Sequence, residues 1–151
     1  MCIRDRSTVA QAPVFSDTTD VSALTSSELE DAAKAYLDIN CAHCHRSELS
    51  LPEPNYAGPA GSSGLNVEYN RAYADNPAKF GTCKVPVAGG HADYSADVVP
   101  QDSGDSYLLF RMNTNDQRHR MPELGRATVH QEGVNLIAAW IDGLPAASCT
   151  P

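Results

Sequence analysis

The sequence predicts an all-α domain with a long loop-rich insertion between its first helix and its later helices, and three observations lead there. Apolar residues recur at helical spacing in two well-separated runs, residues 26 to 40 and 129 to 142. Between them, residues 46 to 103 hold six of the ten prolines, Pro52, Pro54, Pro59, Pro77, Pro86 and Pro100, with many glycines among them. A compact cysteine and histidine motif, Cys41-Ala42-His43-Cys44-His45, closes the first run.

The chain opens on Met1-Cys2-Ile3-Arg4-Asp5-Arg6-Ser7. This string lacks the apolar stretch and small-residue cleavage site of a signal peptide. It resembles translated sequencing-adaptor sequence, so the expectation is a true start, with its signal peptide, upstream. Residues 8 to 24 are rich in Thr, Ser, Ala and Asp, carry Pro13 and keep no period, which reads as a linker. Residues 1–24 are therefore set apart from a single domain over 25–151, a length that supports one real core.

Thr25-x-x-Glu28 is a capping-box pattern, and Leu29, Ala33, Tyr36 and Leu37 follow at helical spacing, predicting a helix over 26–40. In the insertion, short β-like pieces are expected at 64–69 and 84–87 and a turn of helix at 76–80. Ser103 or Asp105 caps a predicted helix over 104–113, with Tyr107, Leu108, Phe110 and Met112 as its apolar side. Val134, Ile137, Ala138 and Ile141 fall at i, i+3, i+4 and i+7, and Gly143 then Pro145 end a helix over 129–142. Small residues Ala32, Ala33, Gly133 and Ala138 should let the first and last helices cross closely, with Tyr36 and Trp140 as large neighbours.

Eleven basic against nineteen acidic side chains give a net charge of -8. That balance excludes a phosphate-backbone binder and favours basic or neutral partners, so nucleic acid is not an expected ligand. Charged or polar residues interrupt every apolar run well short of the roughly 18 residues that a membrane span needs.

Cys-x-x-Cys-His is the attachment pattern for c-type haem. Two thiols three positions apart reach two vinyl groups on one porphyrin edge as thioethers, and the next residue, His45, reaches the iron from one face. Two other uses of the motif are weaker. Cys41, His43, Cys44 and His45 are four zinc-type ligands, but one tight run wraps a tetrahedral ion poorly and no second pair completes a site. A thioredoxin-like redox pair needs a βαβ context that the pattern lacks.

The second face of the iron needs its own ligand, and Met121, ahead of Pro122, is the choice. A thioether is soft and neutral, favours ferrous iron and raises the potential, while Pro122 stiffens the loop. Met112, His91 and His119 are the rivals; Met112 fits core packing on its helix face. His91 and His130 read as surface residues.

These residues carry a resemblance. The order of N-terminal helix, haem motif, Met loop and C-terminal helix resembles the cytochrome c family. Over residues 32–145 the chain is similar to a narrower group of bacterial di-haem c-type cytochromes. The similarity runs through Ala35-Tyr36-Leu37-Asp38, Cys41 to His45, Phe80-Gly81-Thr82-Cys83-Lys84-Val85-Pro86 and Met121-Pro122-Glu123-Leu124-Gly125-Arg126. The resemblance implies an all-α cytochrome c-like fold and periplasmic electron transfer through haem c. Cys41, Cys44, His45 and Met121 hold the cofactor, and redox proteins or an upstream domain of the same parent chain are the partners. Two departures stand out: a single Cys-x-x-Cys-His, which puts a second haem upstream, and Gln101-Asp102-Ser103-Gly104 in place of a Gly-Asp-Pro-like turn. The alternative is a haem domain of a larger oxidoreductase, or a peroxidase-like enzyme with an open iron site. No independent catalytic motif supports catalysis by this chain alone.

Of the five cysteines, Cys41 and Cys44 go to haem and Cys2 lies in the adaptor-like start. Cys83 and Cys149 remain, and the oxidising compartment that haem c implies predicts a disulfide between them.

Overall fold

The computed structural model describes residues 16, 19–46, 58–87 and 93–149. His91 and Cys2 lie outside them. Among the described residues there are three α-helices, α1 (Ser26–Asn40), α2 (Tyr107–Asn113) and α3 (Gln131–Asp142), with short 3-10 turns at Val21–Ala23, Gly61–Ser63 and Pro77–Phe80.

The start of α1 is set locally. Glu28 N–H donates to the Thr25 hydroxyl at 3.4 Å, and the Glu28 carboxylate accepts from Thr25 N–H at 2.9 Å, a reciprocal cap. The Thr25 hydroxyl also donates to the Glu28 carboxylate at 2.6 Å, and this bond, then that from Thr25 N–H, holds the carboxyl below its ordinary value. The helix buries Ala32, Ala33, Ala35 and Leu37. Lys34 shares that buried side because its ammonium sits 5.3 Å from the Tyr69 ring centre. The Asp38 carboxylate accepts from Tyr69 N–H at 3.1 Å, so the insertion is pinned to α1 twice at Tyr69. The turn at Val21–Ala23 touches α3, so folded structure reaches back into the segment read as linker.

α3 buries Gly133, Val134, Leu136, Ile137, Trp140 and Ile141, a wider apolar face than its period alone suggests. It packs against both α1 and α2. The close crossing on α1 is built at Gly133, where a Cβ would fall 2.2 Å from the Tyr36 ring. That ring has little room to retreat, because it stacks on His130 with centroids 5.7 Å apart and its hydroxyl bonds His130 Nδ1 at 3.1 Å. Gly133→Ala should therefore destabilise the domain by about 1–3 kcal/mol through overpacking, against a helix-propensity gain of about 1 kcal/mol. Denaturant unfolding reads the difference, and a variant as stable as the parent would mean that Tyr36 swings aside freely.

The insertion is irregular rather than β. Residues 64–69 and 84–87, expected as β-like, form no strand, and the isolated bridges among the described residues, such as Thr82 with Val98, lie outside both segments. The backbone bonds at 64–69 run to separate places: Asn66 N–H reaches Lys79 O at 2.8 Å and Val67 N–H reaches His45 O at 3.0 Å. Without a continuous neighbour a strand cannot propagate. The turn expected at 76–80 is the 3-10 turn Pro77–Phe80, which presents Phe80 to the core. Tyr73, Phe80 and Trp140 form an aromatic cluster with centroids 5.6 to 6.4 Å apart, fastening the insertion to α3.

The later helices start after their expected positions. α2 begins at Tyr107, not 104, with Ser106 as its N-cap; of the two expected caps, Ser103 is engaged elsewhere, its N–H and hydroxyl both donating to Asp142 at 2.9 and 3.0 Å. α3 begins at Gln131, not 129, since His130 has extended backbone as N-cap. Cys83 and Cys149 are paired as a disulfide, with Cα atoms 4.7 Å apart. That spacing lies within the range for a disulfide.

Candidate functional site

Where α1 ends, the chain does not straighten but winds one further turn. Cys41 and Ala42 N–H both donate to Leu37 O, at 2.8 and 3.1 Å, and Cys44 and His45 N–H both donate to Cys41 O, at 3.0 and 2.8 Å. This turn gathers the two cysteines and His45. The insertion then returns against it, with Ala60 N–H donating to Cys44 O at 3.1 Å. At Gly58 the fit is so close that a Cβ would lie 2.1 Å from Cys44 O, so only glycine lets the loop approach.

Next to this turn lies a cavity of about 730 Å³, lined by Cys41, Cys44, His45 and Met121 among others. It is in the size range of small-molecule and cofactor pockets, about 300–1,000 Å³. Leu37, Leu65, Val67, Leu108 and Val134 give it apolar walls. Arg111, Arg126, Asp97 and Glu123 supply the charges at its edge.

The sequence-derived ligand residues thus share one cavity. Cys41 and Cys44 are not joined in a disulfide, whereas Cys83 and Cys149 are. Burial, with Cys44 beside it, pushes the Cys41 thiol up to about 12. Among the described residues, no group of three or more His, Cys, Asp or Glu side chains converges on a metal position. His45 is lowered from its ordinary value, by burial first and then by the positive field of Arg111, so neutral imidazole is favoured. Its Nδ1 lies 3.0 Å from the Ser63 hydroxyl, which also accepts Leu65 N–H at 3.2 Å. With Nδ1–H donating to Ser63, Nε2 keeps its lone pair for a metal.

Met121 is held through its backbone. Its N–H donates to Arg111 O at 2.9 Å, and its carbonyl accepts from the Arg126 guanidinium. Met112 also lines the cavity but belongs to the core cluster, at 6% exposure. His119 does not line it, and its ring lies 5.8 Å from Phe110. His130, read from sequence as a surface residue, is exposed yet reaches the cavity wall beside Tyr36. Asp97 is a buried carboxylate at that wall; burial raises it, and Lys84 at 2.8 Å opposes the rise. Sequence reasoning passed over Ser63, Arg111 and Arg126. Only Arg126 had a visible signal, as the last residue of the Met121 to Arg126 motif.

The residues fit a covalently attached haem: the cavity has the volume, two unpaired thiols sit on its wall, and neutral imidazole and thioether donors line it together. No known protein family, curated protein or solved structure matches the chain.

Proposed function

We propose that this chain is a one-electron carrier of the cytochrome c type, with haem c tethered by Cys41 and Cys44 and ligated by His45 and Met121. The observation that carries the reading is that all four side chains line one largely apolar cavity. A bound haem supplies a ferric/ferrous couple, while the protein sets its potential and surroundings. The Ser63 hydroxyl, bonded to Nδ1, holds the orientation of the His45 imidazole. The apolar walls restrict water and disfavour the extra charge of ferric iron, which raises the potential along with Met121. Arg111, together with Lys84, offsets the negative charge of Asp97 at the cavity wall. Periplasmic residence and a redox protein or upstream domain as partner belong to the same proposal, in line with the acidic surface and the paired Cys83 and Cys149.

Expression with cytochrome c maturation machinery tests the reading directly. Denatured protein should retain a haem-mass adduct, and Cys44→Ala with Cys41→Ala should release it. Extraction of all haem from the parent protein into acidified organic solvent would sink the proposal. Carbon monoxide should bind the resting ferrous protein poorly; ready binding would favour the alternative of an open-site, peroxidase-like enzyme.

A further inference from the structure

Electron transfer as described gives the last residue of the Met121 to Arg126 motif no dedicated task, yet its side chain is the most heavily bonded in the loop. The half-buried Arg126 guanidinium donates to Thr114 O at 2.6 Å, Arg111 O at 3.3 Å, Thr128 O at 3.1 Å and Met121 O. Arg111 lies in the last turn of α2 and Thr114 directly follows it, where carbonyls have no partner within the helix. Arg111 O also takes Met121 N–H. Met121 is therefore gripped at both backbone polar groups, by α2 on one side and by Arg126 on the other. Gly125, at φ 75, lets the chain double back so that Arg126 can bond its own loop.

We propose that Arg126 is the positioning residue that keeps Met121 seated as the second axial ligand, an inference that rests on the His/Met reading above. A neutral thioether holds iron against outside ligands only while its loop is fixed. If the loop spends a fraction of its time undocked, a competitor gains by that fraction. The planar fork of arginine spans several carbonyls at once, which the single ammonium of lysine cannot do.

The test is a titration of ferric holoprotein with imidazole, following the far-red sulfur-to-iron band. Arg126→Gln should raise the apparent imidazole affinity about tenfold to a hundredfold, the equivalent of one charged hydrogen bond lost at the loop. Arg126→Lys should fall between Gln and the parent, and it serves alone if Gln does not fold. Cys149→Ser, which weakens the domain away from this loop, should leave the affinity at the parental level. Parental affinity in both Arg126 variants overturns the inference, as does an equal rise in Cys149→Ser, which would reduce Arg126 to general stability. A parent protein with covalent haem but no far-red band defeats the His/Met reading instead, and the two failures are told apart by that band.

Discussion

Met121→Ala should abolish the far-red sulfur-to-iron band of the ferric protein and lower its potential by a sizeable share of the about 0.8 V over which axial ligands tune haem. The thioether stabilises ferrous iron, so losing it favours the ferric state. The vacated position should also admit carbon monoxide to ferrous protein. The control is Met112→Leu. Met112 reaches the cavity wall too, but it is 6% exposed within the core cluster and sits on α2, whose backbone is fixed by helix bonds. A Leu there conserves volume and should cost less than about 1.5 kcal/mol while leaving the band in place. Should Met121→Ala leave the spectrum unchanged, the ligand lies elsewhere, and loss of the band in Met112→Leu would name it. The Met121→Ala backbone can keep its bonds to Arg111 and Arg126, so a spectral change would report the sulfur and not a collapsed loop.

The parts of this structure that are legible in the sequence are those decided within a few residues. The cap at Thr25 and Glu28 fixes the start of α1, because both partners lie within one turn and nothing distant competes for them. The turn that gathers Cys41, Cys44 and His45 is likewise local, closed by bonds to Leu37 O and Cys41 O. Starts of the other two helices are less legible because distant partners engage the side chains that precede them. Asp142 takes Ser103, and Tyr36 takes His130 Nδ1. Neither pairing has a trace in local pattern. The insertion shows the same limit: β-branched and aromatic residues near 64–69 satisfy strand propensity, but Val67 and Asn66 find partners in two different places and no ladder forms. Arg126 is the sharpest case. A sequence motif shows that the arginine is there, whereas its four carbonyl partners, drawn from residues 111 to 128, become visible only when the loop is folded onto the end of α2.

Breaking the bond between Cys83 and Cys149 should cost about 4 kcal/mol, the chain-entropy value for closing a loop whose ends are 66 residues apart. The bond joins the insertion to the segment just beyond α3. Near Cys83 the insertion relies on scattered backbone bonds, Cys83 N–H to Val98 O at 2.9 Å and Asp97 N–H to Lys84 O at 2.7 Å, without a strand to share the load. Elsewhere the insertion is anchored by Phe80 and Tyr73 against Trp140 and by Tyr69 against α1. Cys83→Ser with Cys149→Ser should therefore lower the thermal midpoint by on the order of 10 °C, taking about 2–4 °C per kcal/mol for a domain of this size. The loss should appear mainly in unfolding of the oxidised protein, since reduced parent and double variant share an unconstrained unfolded chain. Reducing agent should shift the parent down to meet the variant and leave the variant where it is. Alkylation of denatured, non-reduced parent gives the chemical check: label on both Cys83 and Cys149 would show free thiols and refute the pairing. On the proposed reading, haem retention should survive in the double variant, because the proposed tethers, Cys41 and Cys44, take no part in this bond.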